Sequence, residues 1–200
     1  MTDHYYSHRP ETESEPIYWS TTLRGSSFHF KTDRGVFSKG EVDFGSRHLL
    51  ESFSMPDIDG PVLDVGCGYG PIGLSIAKDY PGRHVHMTDV NERALGLAKE
   101  NAQQNGIENV AIYESSGFQS IQERNFAAIL TNPPIRAGKQ VVFDIFEGSF
   151  SHLAHGGELW VVIQKKQGAP SAKVKLEELF GKVNVVNKKK GYFILKAIKI

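Results

Sequence analysis

Two short segments of this chain carry residues whose types and spacing suit chemistry. The first is Asp64-Val65-Gly66-Cys67-Gly68-Tyr69-Gly70-Pro71-Ile72-Gly73. Glycine lets a backbone approach a ligand closely, because no Cβ stands in the way. Two parses are open. Gly68, Gly70 and Gly73 fit G-x-G-x-x-G, the dinucleotide fingerprint. Asp64, Gly66, Gly68 and Gly70 equally fit D-x-G-x-G-x-G. A pyrophosphate wants N–H donors and no fixed anion beside it, so Asp64 would repel one. A ligand end carrying an ammonium and a sulfonium, as in S-adenosylmethionine, would be attracted. Downstream, Asp89 stands in Met87-Thr88-Asp89-Val90-Asn91. A carboxylate there can take two hydrogen bonds from ribose hydroxyls under either parse, or cap the following helix. Without a ligand the loop reads as a tight turn, Cys67 as a small packing residue and Tyr69 as a surface aromatic.

The second segment is Leu130-Thr131-Asn132-Pro133-Pro134-Ile135. Alone, Asn-Pro reads as a turn. Its chemistry suits an exocyclic amine on a base, whose lone pair is delocalised into the ring. The Asn132 carboxamide oxygen and the Pro133 carbonyl could each accept one of its N–H bonds and shift the nitrogen toward tetrahedral geometry. Two prolines fix φ at successive positions and so pre-aim the acceptors. No strong base is needed before attack, because the proton becomes acidic only as the cation forms. Proximity and alignment then supply on the order of 7–11 kcal/mol of the barrier.

The elements that must position these segments alternate. Pro61–Val65 reads as a strand, with Pro71 opening a helix to about Tyr80. Residues 85–90 form the next strand, and 91–105 a helix stopped by Asn105-Gly106. Strands follow over 109–113, 126–130 and 159–163, with helices over 138–155 and 171–180. The apolar run Phe126–Leu130 suits a central strand. Residues 183–186 and 192–198 are the last strands, joined by a turn at Asn187–Gly191 and therefore antiparallel. Five βα units thus precede one hairpin. Nearer the start, Phe28, Phe30 and Val36 read as short strands around a turn at Thr32–Gly35, and Gly45-Ser46 opens a helix. In such a doubly wound sheet the strands before the two segments are central neighbours, so both loops open into one crevice.

Composition bounds the rest. At 200 residues, with 40% apolar and 23% charged residues, the chain is neither disordered nor collagenous. No run approaches eighteen apolar residues, so no membrane span is expected. The first residues lack the apolar core of a signal peptide, and a single cysteine favours a reducing cytoplasm. Charge is balanced overall but uneven. Residues 164–200 hold ten Lys and two acids, which points weakly to a polyanionic partner and otherwise describes lysine-rich edge strands.

At these residues the chain resembles the small-domain methyltransferases that modify N2 of guanine in 16S, small-subunit ribosomal RNA. Three blocks carry the resemblance: Gly35-Val36-Phe37-Ser38 with Asp43-Phe44-Gly45-Ser46, Leu63 to Gly70, and Thr131 to Ile135. It spans residues 17–200 and implies an α/β, Rossmann-like class I methyltransferase sheet of seven strands, parallel but for one antiparallel strand, with helices on both faces. Residues 1–16 would be a flexible arm, 17–55 a cap over the cofactor and 56–200 the core. The implied cofactor is S-adenosylmethionine. Asp64, Gly66 and Gly68 would hold its methionine end, with Cys67, Tyr69 and Gly70 completing the loop. Asp89 and Val90 would serve the ribose, and Ser116 and Gly117 the adenine. Phe37, Asp43, Gly45 and Ser46 would close over it. Asn132 and Pro133 would grip the target amine, with Pro134 and Ile135 completing the catalytic loop.

There are departures from the family pattern. Ile135 stands where amino methyltransferases usually carry Phe or Tyr, so Phe37 is expected to stack on the flipped base instead. Ser116 replaces a usual acid. No second domain is expected at this length, which leaves RNA affinity to the N-terminal arm, Arg34, Lys39, Arg136, Lys139 and the basic C-terminal end. The expected partner is ribosomal RNA or the small ribosomal subunit, with the protein a monomer. His84 with His86 and His152 with His155 lack a recognisable ligand set, so no metal is expected. The competing readings are an N6-adenine or protein-glutamine methyltransferase, an NAD-dependent oxidoreductase and a non-catalytic RNA-binding module.

Overall fold

A computed structural model describes residues 12–200. The expected arm lies mostly outside them. Strands β1 (Ile17–Leu23) and β2 (Ser26–Thr32) form an antiparallel hairpin. Its turn is at Arg24-Gly25, both at positive φ, earlier than the expected Thr32–Gly35. Asp33 instead locks the loop beyond β2, accepting from Ser14 Oγ at 2.7 Å and the Glu15 amide at 2.6 Å. Helix α1 (Phe44–Ser52) follows, capped by Asp43, whose carboxylate accepts from the Ser46 amide.

The main sheet holds β3 (Val62–Val65), β4 (Val85–Asp89), β5 (Val110–Glu114), β6 (Phe126–Thr131), β7 (Leu153–Gln164), β8 (Val183–Lys189) and β9 (Tyr192–Ile198). Its order is β5-β4-β3-β6-β7-β9-β8, and β9 alone runs against its neighbours. Helices α2 (Pro71–Asp79), α3 (Glu92–Gln104), α4 (Lys139–His152) and α5 (Ala169–Phe180) cover it. Strands β3 and β6 are buried along their whole length, as their apolar runs require of central strands. Side chains alternate across a strand. Val62 therefore joins the core under α1, α2, α3 and the hairpin, while Leu63 and Val65 join the core under α4 and α5.

Three elements differ from expectation. The β5–β6 crossover carries no helix, so the third βα unit is a run of turns. Strand β7 starts at Leu153, six residues early. Gly156-Gly157 does not stop α4 but forms an irregularity within the strand, where the register with β6 shifts. A Cβ on Gly157 would lie 2.7 Å from the Phe126 carbonyl, so only glycine fits. Strand β8 continues to Lys189 through a bulge after Val185, which shortens the hairpin turn to Lys190-Gly191.

Candidate active site

Strand order reverses between β3 and β6, and a crevice opens beyond their carboxyl ends, as expected for such a switch point. It holds about 880 Å³ of atom-free space, with Gly66, Gly68, Asp89, Ser115 and Asn132 in its wall. A second cavity of about 810 Å³ shares Phe37, Asp43, Asn132 and Pro133 with it and adds Ile135, Arg136, Gln167 and Tyr192. Asn132 and Pro133 stand on the shared boundary.

The glycine loop is tied to β4. The Gly66 and Cys67 amides donate to the Thr88 carbonyl at 2.8 and 2.9 Å, and the Gly68 amide to Asp89 Oδ2 at 2.8 Å. Gly66 and Gly68 have φ of +77° and +57°, and a Cβ on either would meet nothing within 4 Å. Their bare backbone faces open space, which is a cradle for a ligand. Gly70 does a different job and lines neither cavity. A Cβ there would lie 2.8 Å from Leu74, so it serves the close start of α2. Asp89 accepts from the Asn91 amide through its other oxygen at 2.9 Å. Capping of α3 falls to Asn91, whose side chain accepts from the Ala94 amide. Val90 and Cys67 line the crevice. Tyr69 also lines it but is buried, not a surface aromatic. Its ring packs edge-on against Phe30 and its hydroxyl donates to the Glu41 carbonyl. Burial pushes that hydroxyl's pKa up.

Asp64 does not reach the crevice. Its carboxylate is 1% exposed and lies beneath the start of α2, accepting from the Gly73 amide at 2.8 Å. The alternation that sends Leu63 and Val65 to one face sends Asp64 to the other. Its Oδ1 has no hydrogen-bond partner. Burial above all, offset in part by the Gly73 bond and reinforced by Asp89, raises its pKa to about 7. Direct contact with a ligand ammonium is therefore corrected to support of the loop from below. Ser116 is likewise displaced. It is exposed and outside the wall, whereas Ser115, whose amide donates to the Asp89 carbonyl, turns in beside Gly117. Gly45 is buried under Tyr192, where a Cβ would lie 3.0 Å from the ring. It permits packing and does not line the crevice.

Asn132 is held by α1. Its Nδ2 donates to Asp43 Oδ2 and Ser46 Oγ, both at 3.1 Å. A carboxylate only accepts, so the nitrogen must face Asp43, and the amide oxygen is the group left to accept from a ligand. Asp43 and Ser46 do border both the crevice and this amide, so they act on Asn132 as well as enclosing the space. The Pro133 carbonyl accepts from the Ile135 amide at 2.9 Å across Pro134 (φ −75°, ψ 79°). That bond fixes the carbonyl's direction and leaves its second lone pair. Pro134 lines the first cavity, Ile135 the second, and Phe37, 44% exposed, stands at both.

The expected basic residues are dispersed. Arg34 pairs with Glu15, and Lys39 is exposed but lines neither cavity. Arg136 borders the second cavity. Lys139 sits over the Phe143 ring at 5.1 Å. Asn91, Ser115, Gln167 and Tyr192 went unnoticed in the sequence. Tyr192 had no local signal, because only the β7–β9 pairing brings it to the cavity that Asn132 also lines. Among the described residues no group of three or more His, Cys, Asp or Glu side chains is arranged to hold a metal, and no helix is long and apolar enough to cross a membrane.

The model of the methyltransferase small domain matches residues 27–196. The chain belongs to the methyltransferase small-domain family. Among relatives of this small-domain protein, uncharacterized protein YbxB of Bacillus subtilis is 61% identical over the full length of both chains. Ribosomal RNA small subunit methyltransferase C of Vibrio cholerae is 32% identical over 90% of this chain and 52% of its own length. The small-domain chain thus spans about half the length of the ribosomal RNA methyltransferases it matches. Its fold superposes on a T. thermophilus 16S rRNA N2 methyltransferase (RsmC), solved with AdoMet and guanosine, with a TM-score of 0.83 and 26% identity. That match covers 96% of this chain and 52% of the other.

Proposed function

We propose that this small-domain methyltransferase transfers a methyl group from S-adenosylmethionine to an exocyclic amine of ribosomal RNA, N2 of a guanine in the small subunit. The observation that carries the reading is the tethered Asn132, which lines both cavities while its nitrogen is committed to Asp43 and Ser46, leaving its oxygen to accept. The T. thermophilus relative was solved with AdoMet and guanosine, which supports one cavity for cofactor and one for base.

The first cavity fits the cofactor by its bare glycine backbone and its donor set. Gly66 and Gly68 would pass beside the methionine end, Asp89 would accept from the ribose hydroxyls, and Ser115 with Gly117 would border the adenine. Bound there, S-adenosylmethionine supplies an electrophilic methyl on a sulfonium. Residues 17–55 act in this reading as a cap, through Phe37 and Asp43. Asn132 Oδ1 and the Pro133 carbonyl accept the two amine N–H bonds and direct the nitrogen lone pair at the methyl carbon. The new N–C bond would replace the methyl–sulfur bond, leaving a neutral thioether, and the amine would lose its proton to water only as that bond forms, so no strong base is required. Phe37, Ile135 and Tyr192 wall the base and exclude water.

The test is transfer of labelled methyl to small ribosomal subunits from a strain lacking this protein, followed by nucleoside analysis. N2-methylguanosine is the expected product. N6-methyladenosine, or no labelled nucleoside, would overturn the guanine assignment. Asn132→Ala should lower turnover at least 100-fold while cofactor affinity, measured by calorimetry, stays within about threefold. Equal loss of both would move Asn132 into cofactor binding.

A further inference from the structure

The β8–β9 hairpin tip and the turn after β7 are far apart in sequence but joined in space. The Lys165 amide donates to the Gly191 carbonyl at 2.9 Å. Tyr192, next in the chain, enters the wall of the second cavity, as does Gln167 two residues beyond Lys165. Lys190 Nζ lies 5.0 Å from the Phe44 ring, and Phe44 is in turn 5.2 Å from Tyr192. The backbone of Lys165, Lys166, Lys189 and Lys190 is thereby placed next to Gln167 and Tyr192, which line the second cavity, as Arg136 itself does. All five side chains are exposed, and none forms an ion pair among the described residues. Other lysines of the C-terminal region are differently placed: Lys173, Lys175 and Lys196 pair with Glu177, Glu147 and Glu158.

The turn itself adds an independent observation. Lys189 pairs with Tyr192, so Lys190-Gly191 is a two-residue turn with φ of +50° and +79°. Such turns favour Asn-Gly, because both positions need a left-handed conformation in which a Cβ crowds the following carbonyl oxygen, and glycine and asparagine adopt it most readily. A lysine there is held against its conformational preference, at a point where it carries positive charge beside a cavity. The turn sets that φ, as it does at Arg24-Gly25, and what bears on a ligand is the positive charge it carries out beside the cavity.

We infer that Lys165, Lys166, Lys189, Lys190 and Arg136 form the surface that grips the phosphates of the RNA strand flanking the base held in the second cavity. The inference rests on the reading of the protein as acting on RNA, and adds the surface that reading lacks. A base that has left its stack leaves phosphates on both sides at the cavity mouth. Cations on two separate turns can hold one on each side. The acidic remainder of the chain, 13 basic against 21 acidic residues before position 164, would keep the strand to this rim.

The experiment uses the full chain, a naked small-subunit ribosomal RNA fragment and a salt series. Two doubles are compared with the parent: Lys189→Gln with Lys190→Asn, and Lys165→Gln with Lys166→Gln. Each should weaken RNA binding at least tenfold near 0.1 M salt and reduce the salt slope by about 1.5. S-adenosylmethionine affinity should not move. The single variant Lys190→Asn should raise the melting temperature while weakening RNA binding, a split that a purely structural lysine would not give. A control double, Lys173→Gln with Lys182→Gln, removes the same charge from α5 and from beside the far end of β8 and should leave affinity within twofold. Unchanged affinity and slope in both rim doubles, equal loss in the control, or no RNA binding by the parent would each overturn the surface. Rim variants that bind RNA as tightly as the parent but fail on assembled subunits would assign the lysines to a protein contact instead, and also overturn it. Absence of methyl transfer alongside weakened RNA binding by the rim doubles would sink the proposed chemistry and leave the surface standing.

Discussion

At the scale of single residues, the site is governed by which polar atoms are already committed. Asp43 has two duties through one oxygen: it caps α1 and holds the Asn132 amide. Asp43→Ala should cost about 1 kcal/mol from the lost cap and lower turnover roughly 10- to 100-fold as the amide loses its anchor. Asp43→Asn keeps an acceptor oxygen for both donors and should retain most activity. Parallel denaturation and turnover measurements check this, and equal activity in both variants would show that Asn132 needs no anchor. Asp64 makes a prediction of opposite character. Its carboxyl titrates near 7 in the fold against 3.8 outside it. The folded state therefore holds the extra proton between those values, and its contribution is complete below about pH 4 and is lost as pH rises through 7. Asp64→Asn cannot ionise. The stability of the parent relative to this variant should fall by on the order of 4 kcal/mol between pH 4 and 8, read from urea unfolding. A difference that stays level with pH would mean the carboxyl is not held neutral.

At the scale of elements, the N-terminal hairpin must be fixed for the loop beyond it to border the site. Arg24 does this from the turn. Its guanidinium donates to Asp79 at 2.7 Å, to the Phe53 carbonyl at 2.9 Å and to the Tyr80 hydroxyl at 3.2 Å, joining the hairpin to α1 and α2. These bonds offset a φ of +48° at a residue with a side chain. Arg24→Ala should destabilise the protein by about 2–4 kcal/mol, because several charge-assisted bonds go and Asp79 loses its partner. Arg24→Gly should be milder by about 1 kcal/mol, since glycine relieves the turn. Chemical denaturation ranks the two, and the reverse order would mean the turn is unstrained. Asn101 closes the other side of the hairpin, accepting from the Lys31 amide at 2.8 Å and donating to the Tyr69 carbonyl at 2.9 Å. The hairpin and the glycine loop thus share one asparagine.

At the scale of the whole molecule, a ligand that binds only the folded chain must stabilise it. S-adenosylmethionine at 100 times its dissociation constant should add about 2.7 kcal/mol, or roughly 5–10 °C in melting temperature for a chain of this size. NADH at the same concentration should add nothing. A shift with NADH and none with the sulfonium compound would return the glycine loop to its dinucleotide parse. The charge distribution belongs to this scale too. The lysine-rich C-terminal region was visible as composition, but only the assembled sheet separates lysines at the cavity rim from those paired on α5 and β9.

The sequence by itself determined the order of strands and helices, the two central strands and the two loops after them. Those features rest on local periodicity and on glycine and proline, whose conformational limits act within a few residues. It misplaced the first turn and the start of β7, where a glycine pair serves a strand irregularity and not a helix end, and its count of five βα units implied a helix that the β5–β6 crossover does not have. Only tertiary structure decided which side chains meet. Strand alternation put Asp64 under the loop and not in it, a change of direction after β5 exchanged Ser116 for Ser115, and an antiparallel strand from the far end of the chain delivered Tyr192 to the cavity that Asn132 lines. Contacts of that kind depend on register and packing between distant segments, and no spacing along the chain encodes them.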